Sequence, residues 1–389
     1  MQASPQAVAV PAFIVPKPRL EWVDLLRSAM IILVVNMHAC CTYTHVGGWY
    51  VSEGADPGLA AKIPWFFYQG HLQAFFMGLL FFLVGHFAQL SLVKKGTAAF
   101  LRERLFRLGL PALLYMLVIQ PLIVIGINPY GIPAQDRLPW LGRYLLRGDF
   151  LGGSGPLWFV LAALLFCVAL AAVHGLRSSV ASAPAPAPGL GAITLLGILM
   201  VLGSFLVRTA YPIGTNVLNF QLCFFTQYIL VFAAGVASAR QGWLAELAAA
   251  PRTRWLGLAG LVLGPLALLV TLKFWPPEGE KPAILGGWNG GAFGLAAWEQ
   301  LTGLCIGLGC LALFSRIRFR NTGPVRLLND NAFGIYVLHA PVMVALSQSL
   351  QPWQPGTFAK VLTLTVATLL ASLLASILFR RLPGLGRIL

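Results

Sequence analysis

The chain has 389 residues, 58% of them hydrophobic and only 10% charged, and its mean hydropathy is +0.78. Soluble chains are typically about 45–50% apolar and about 25% charged, so this one lacks the polar surface to enclose a water-soluble body of its size. The net charge of +15 would suit a nucleic-acid binder, but the basic residues sort by membrane side instead. Its six cysteines, Cys40, Cys41, Cys167, Cys223, Cys305 and Cys310, show no zinc or redox spacing and read as small buried hydrophobes.

Apolar windows of about 20 residues, long enough to cross a bilayer as helices, fall at residues 25–44, 70–92, 106–127, 156–174, 190–208, 222–239, 255–273, 295–314, 331–350 and 360–379. The expected fold is all-α, a polytopic integral membrane helix bundle of about ten transmembrane helices over residues 21–380. A flexible leader over 1–20 and a tail over 381–389 flank it. The short alternating segments of a membrane barrel are missing from the sequence. Breakers separate the windows: "INPYGIPAQDRLP" after the third, "ASAPAPAPG" after the fourth and "KFWPPEGEKP" after the seventh. The alanine-proline stretch reads as a flexible linker.

Orientation follows from the Lys and Arg count. Nineteen of the 27 fall on the side of the two termini and eight on the other, while the acids split five and seven. The positive-inside rule therefore places both termini in the cytoplasm, and the basic excess needs no nucleic-acid partner. The expected location is a bacterial inner membrane.

Ionisable side chains inside spans are costly and are functional candidates by default. The first span, "DLLRSAMIILVVNMHACCTYTH", is the richest. Arg27 and His38 are eleven residues apart, about 20° past three full turns, so both project from one face, roughly 16.5 Å apart along the axis. His45 continues that stripe toward the outer surface. An alternative reading keeps Arg27 as an interfacial anchor and His38 as an interhelical hydrogen bonder. Arg102, Arg104 and Arg107 open the third span, and Arg104 and Arg107 are at i, i+3 spacing. They suit either a bidentate grip on phosphates or snorkelling to lipid headgroups. Asn329, Asp330 and Asn331 are capping candidates ahead of His339 in the ninth span. Glu299 is the one acid placed near the membrane core on the outer side, and His71 and His86 bracket the second span.

Sequence motifs for familiar hydrolases, nucleotide binders and metal sites are missing: no HExxH, no GxSxG elbow, no Walker loop, no glycosidase acid pair and no metal-ligand spacing. What remains is an Arg and a His on one helix face, a basic pair at the cytoplasmic mouth and a second intramembrane His. That set suits an anionic donor entering from the cytoplasm and a base acting deeper in.

The same residues carry a family resemblance. Arg27, ten intervening residues and His38 resemble the first-span signature of the membrane acyltransferase-3 family. "FFMGLLFFLVGHF" resembles its second span, with Val84 where the family usually has Ser. "RERLFRLGLP" resembles its RxxR element, "GPLWFVLAALL" its fourth span and "NAFGIYVLHAPV" its ninth. The five elements occur in family order from about Glu21 to Leu378.

The resemblance implies O-acyl transfer, of an acetyl or succinyl type, from cytoplasmic acyl-CoA to a hydroxyl of a cell-envelope carbohydrate. On that reading His38 is the catalytic base. Arg27, Arg104 and Arg107 bind the CoA phosphates, and His339, Glu299, His45 and Trp158 are the candidates for holding the acceptor. The expected partners are acyl-CoA, a glycan and the lipid bilayer, with no metal and no permanently bound cofactor. An acyl-histidine relay is open beside direct base catalysis. A transporter of a small anionic or sugar-like solute is the rival class, although no inverted repeat is visible.

Overall fold

The computed structural model describes residues 20–128, 131–176, 184–277, 282–318, 322–384 and 386. Among them ten helices are long and apolar enough to cross a membrane: α1 Glu21–Thr44, α2 Leu59–Lys95, α3 Thr97–Ile127, α4 Gly155–Gly175, α5 Leu190–Ala210, α6 Leu222–Gln241, α7 Pro251–Phe274, α8 Gly290–Phe314, α9 Gly323–Ser349 and α10 Thr357–Arg380. These are the ten expected spans, in an all-α membrane fold. The 1–20 leader, apart from Leu20, lies outside the described residues, as do 387–389 of the tail. An even number of crossings puts both chain ends on one side, here called the terminal side.

In the bundle α2 packs closely on α6 and α8, α7 on α8, and α9 on α10, while α1 lies against α2, α9 and α10. Small residues permit the closest approaches. A Cβ on Gly85 of α2 would lie 2.2 Å from the Phe232 carbonyl oxygen of α6. One on Gly235 of α6 would lie 2.0 Å from that of Phe82. The helices touch backbone to backbone there, so neither glycine can carry a side chain.

Helix α3 is α-helical over Thr97–Arg104 and Leu110–Leu114 and widens into π-helical turns at Leu105–Gly109, Tyr115–Ile119 and Leu122–Ile127. Pro111 and Pro121 each withhold a helix N–H, and the looser turns absorb the break. The ladder still delivers Tyr115 and Ile123 fully buried into the bundle.

Three local expectations need correction. Asn329, Asp330 and Asn331 do not cap α9, which begins at Gly323 with Pro324 in its first turn. Instead Ser28 Oγ donates to Asn329 Oδ1 at 2.7 Å and Ser376 Oγ to Asn331 Oδ1 at 2.9 Å, tying α9 to α1 and α10. The alanine-proline stretch is anchored over residues 184–189: Ala187 N–H donates to Glu246 and Arg252 donates to the carbonyls of Ala187 and Pro188. The segment before α4 contains a ten-residue helix, Arg137–Leu146, with Leu138 80% and Leu146 89% exposed. Such exposed leucines suit the membrane interface.

Candidate active site

His38 of α1 and His339 of α9 meet in the bundle. His38 Nδ1 lies 3.0 Å from His339 Nε2, and His339 Nδ1 lies 2.6 Å from the carbonyl oxygen of Tyr336. A carbonyl only accepts, so His339 carries its proton on Nδ1 and presents a lone pair at Nε2. His38 must then donate from Nδ1, which leaves the lone pair of its own Nε2 free. His339 is fully buried and His38 half-buried. The chain Tyr336–His339–His38 thus fixes one tautomer of a partly accessible imidazole.

The loop after α1 closes over this pair. His45 turns the chain in the left-handed region at φ 57°, and its Nε2 donates to the Glu53 carbonyl at 3.2 Å. Glu53 N–H donates to the Thr42 carbonyl at 2.8 Å, and its carboxylate pairs with Lys360 of α10 at 2.5 Å. The ammonium also stands 5.2 Å from the Tyr43 ring centroid. Held at both ends, the loop lays Trp49 flat on His38, with ring centroids 3.9 Å apart and planes 13° apart. Tyr50 anchors the next step: its carbonyl accepts from Asn128, and its hydroxyl meets Tyr115 and Gln120. Burial pushes the Tyr50 phenol up, so it stays protonated and donates to the Gln120 carbonyl oxygen.

His38 opens into a cavity of about 570 Å³. Its inner walls come from α1 and α2 at Val34, Met37, Gln73 and Phe76, and its outer walls from Gly47–Tyr50, the last turns of α3 at Gln120, Gly152 and the first turn of α4 to Trp158, and Asn216–Gln221 around the start of α6. The outer walls lie toward the side opposite the termini, so the cavity faces the far side. Trp158 lines it, stacked at 5.8 Å on Tyr228. Tyr336, whose carbonyl orients His339, also lines the cavity, and its hydroxyl donates to the Pro156 carbonyl.

The other sequence candidates lie elsewhere. Glu299 is 4% exposed, and both its carboxylate oxygens accept from Arg208 Nη2, at 2.7 and 2.8 Å. His45 is spent on the Glu53 carbonyl. Neither lines the cavity. Arg27 sits three turns toward the terminal side, 3.3 Å from Asp24. Arg104 stands over the Phe100 ring at 5.1 Å with a buried, unpartnered Nε, whereas Arg107 is 57% exposed beside Glu103 at 3.7 Å. One therefore points into the protein and the other outward. His71 Nδ1 bonds the Phe67 carbonyl, and His86 Nδ1 the Ser238 hydroxyl. Neither lines the cavity. Among the described residues no cluster of three or more His, Cys, Asp or Glu could hold a metal ion.

Sequence reading missed Trp49, the Glu53–Lys360 pair and Arg208. Only Trp49 left a trace, as an aromatic residue beside two glycines in "HVGGWY". The ion pairs join residues 307 and 91 positions apart, beyond any local pattern.

A polytopic helix bundle with an oriented imidazole at the floor of a polar cavity is the frame of a membrane group-transfer enzyme. A family model described as an acyltransferase domain, acyltransferase 3, matches residues 20–381, nearly the whole chain. The chain belongs to the membrane acyltransferase-3 family and is a membrane acyltransferase. No curated protein and no solved structure gives a significant match.

Proposed function

We propose that the protein is an O-acyltransferase that moves an acyl group from acyl-CoA to a hydroxyl of a cell-envelope carbohydrate. The observation that carries this reading is the free Nε2 of His38, oriented by His339 and open to a polar cavity. An alcohol is a weak nucleophile at neutral pH and needs a base, whereas a thiolate leaves readily. The acceptor hydroxyl gives its proton to His38 Nε2 as its oxygen forms a bond to the acyl carbon. The carbon–sulfur bond breaks, and the thiolate recovers the proton from the imidazolium.

The positive-inside count supports a cytoplasmic terminal side in a bacterial inner membrane, and that is where CoA is available. Arg27, Arg104 and Arg107 lie toward that side and have the chemistry to hold its phosphates. The cavity then faces the periplasm, where envelope glycans are found. Between Arg27 and His38 the cavity reaches one turn past His38 to Val34, and beyond it Met30 is packed to 2% exposure. A thioester reaching His38 from the cytoplasm requires α1 and its neighbours to part there.

The test is acyl transfer by purified protein in detergent, with acyl-CoA donors and oligosaccharide acceptors, read by product mass. His38→Ala is the control. The cellular counterpart is a missing acyl mass in the envelope glycans of a deletion strain. Equal product from wild type and a correctly folded His38→Ala protein would exclude the base assignment.

A further inference from the structure

The family assignment leaves the acceptor's chemistry open, and the wall of the cavity carries information about it. Between α5 and α6 the chain makes a two-residue turn, with Val217 and Phe220 exchanging both backbone hydrogen bonds at 2.9 Å. Its central residues, Leu218 at φ 49° and Asn219 at φ 67°, are both left-handed. Asparagine tolerates that region and leucine rarely enters it. Leu218 gains no packing in return, being 56% exposed. Backbone strain of this kind collects at functional sites, and here it aims Asn219.

Asn219 Nδ2 donates to Ser154 Oγ at 2.9 Å and to the Gly155 carbonyl at 2.8 Å. The carbonyl can only accept, so the amide orientation is fixed and both N–H bonds are used. What Asn219 has left for the cavity is the acceptor Oδ1. Asn216 donates one N–H to the Gly214 carbonyl at 3.4 Å, which leaves its Oδ1 and its second N–H. His38 contributes the lone pair of Nε2. Asn216, Asn219 and His38 all line the cavity, and among the described residues no Asp, Glu, Lys or Arg does. Trp49, with a buried and unpartnered Nε1–H, and Trp158 add aromatic faces to the same walls, and Gln73, Gln120 and Gln221 add side-chain amides.

An uncharged lining that offers both donors and acceptors is met by a ligand that brings both and no charge, as hydroxyls do. A carboxylate or phosphate brings only acceptors, so it leaves the oriented oxygens of Asn216 and Asn219 unmet and finds no counter-ion among the described lining residues. Moving an ion into a partly buried site without a partner is costly. We infer that the acceptor is a neutral, hydroxyl-rich sugar unit, and that the Asn216–Asn219 turn is the element that selects it over acidic sugars. This inference rests on the carbohydrate-acceptor reading above and narrows it.

The test separates binding from chemistry. Purified full-length protein without donor is titrated with neutral hexose oligosaccharides and with the same oligosaccharides oxidised to uronic acids, following tryptophan fluorescence. The expected result is saturable binding of a neutral sugar at least 10-fold tighter than its uronate. Asn219→Ala should weaken neutral binding by about 10-fold, as one oriented acceptor is lost. Should that variant fail to fold, Asn216→Arg decides, because Asn216 is exposed and makes only one long bond. Its cation should shift preference at least 10-fold toward the uronate. Uronate binding as tight as neutral binding in wild type, binding of neither sugar, or no shift in Asn216→Arg overturns the inference. Selective neutral binding without acyl product from any acyl-CoA upholds the selectivity and overturns the transferase reading instead.

Discussion

His38 and His339 lie in planes only 1° apart, with Nδ1 of the first 3.0 Å from Nε2 of the second. Coming from helices α1 and α9, this contact makes the tautomer of the His38 imidazole a property of the fold. On the proposed reading His339 acts through His38, as a positioning residue, because its ring is fully buried and does not line the cavity.

Removing His38 should therefore cost the full base contribution, typically 10²–10⁴-fold in kcat. His339→Ala removes one orienting hydrogen bond, about 1–3 kcal/mol or roughly 5–150-fold. His339→Gln, whose side-chain carbonyl can accept from His38 Nδ1, should recover part of that loss. The His38→Ala/His339→Ala double variant should be no slower than His38→Ala alone. Steady-state kinetics on the four proteins checks this, and additive losses would show that the two imidazoles act independently.

The arginines of α3 separate donor binding from anchoring. If they grip CoA phosphates, Arg104→Ala and Arg107→Ala should each raise the Michaelis constant for acyl-CoA. One charge-assisted bond is worth about 1.5–3 kcal/mol, roughly 10–150-fold. Lysine should rescue Arg107, exposed beside Glu103, better than Arg104, whose planar group sits over Phe100. Titration of purified variants with CoA is the measurement. Unchanged CoA affinity in both alanine variants would assign them to the membrane surface.

Topology can be read by cysteine labelling. Cys40, Cys41, Cys167 and Cys223 are buried, and Cys305 and Cys310 half-buried, so the background is low. Cysteines placed at Asp56 and Asp136 should react with an impermeant maleimide from outside intact cells. Reaction only after permeabilisation would reverse the orientation and with it the donor and acceptor sides.

The ten spans were legible because hydrophobic length is a local property, and each apolar window became one helix. His38 and His339 were legible as polar residues out of place in lipid, although their meeting was not, and Trp158 was legible only through the family resemblance. Glu299 was visible as a costly intramembrane acid, but its partner Arg208 was counted as a far-side charge. Its placement is decided by the packing of α5 on α8, which no window of sequence reports. The turn at Leu218 and Asn219 carried no glycine to announce it, since tertiary contacts to Ser154 and Gly155 hold the left-handed backbone. In α3 the spacing of Arg104 and Arg107 assumed a regular helix, and the π-helical turn beginning at Leu105 changes where the second guanidinium points.

The Glu53–Lys360 pair should behave as the clasp of the loop that carries Trp49. Both side chains are under a tenth exposed, so Lys360→Ala leaves a buried carboxylate without its partner. Breaking such a pair typically costs about 3–5 kcal/mol, and the loss should appear as a lower thermal midpoint. The Glu53→Gln/Lys360→Met double variant removes both charges and should recover most of it. Wild-type stability in Lys360→Ala would mean that the loop is held by its other bonds to Thr42, Asn128 and Tyr115.

Glu299 and Arg208 offer the sharpest separation of stability from substrate binding. The guanidinium is fully buried, and among the described residues its Nε and Nη1 have no partner and Glu299 supplies its only compensating charge. Glu299→Gln keeps the shape and a hydrogen-bond acceptor but strands that cation. The expected result is a loss of about 3–5 kcal/mol, seen as a lower thermal midpoint and less folded protein in the membrane. Arg208→Met/Glu299→Leu should be more stable than either single variant, since an apolar pair of similar volume avoids the desolvation cost. In the fraction that folds, the Michaelis constant for the acceptor should stay within about two-fold of wild type, because neither residue lines the cavity. A Glu299→Gln protein of normal stability with a raised acceptor Michaelis constant would return Glu299 to the substrate site. It would also mean that the wall formed by Phe224, which lies 5.6 Å from the Arg208 guanidinium, opens during turnover.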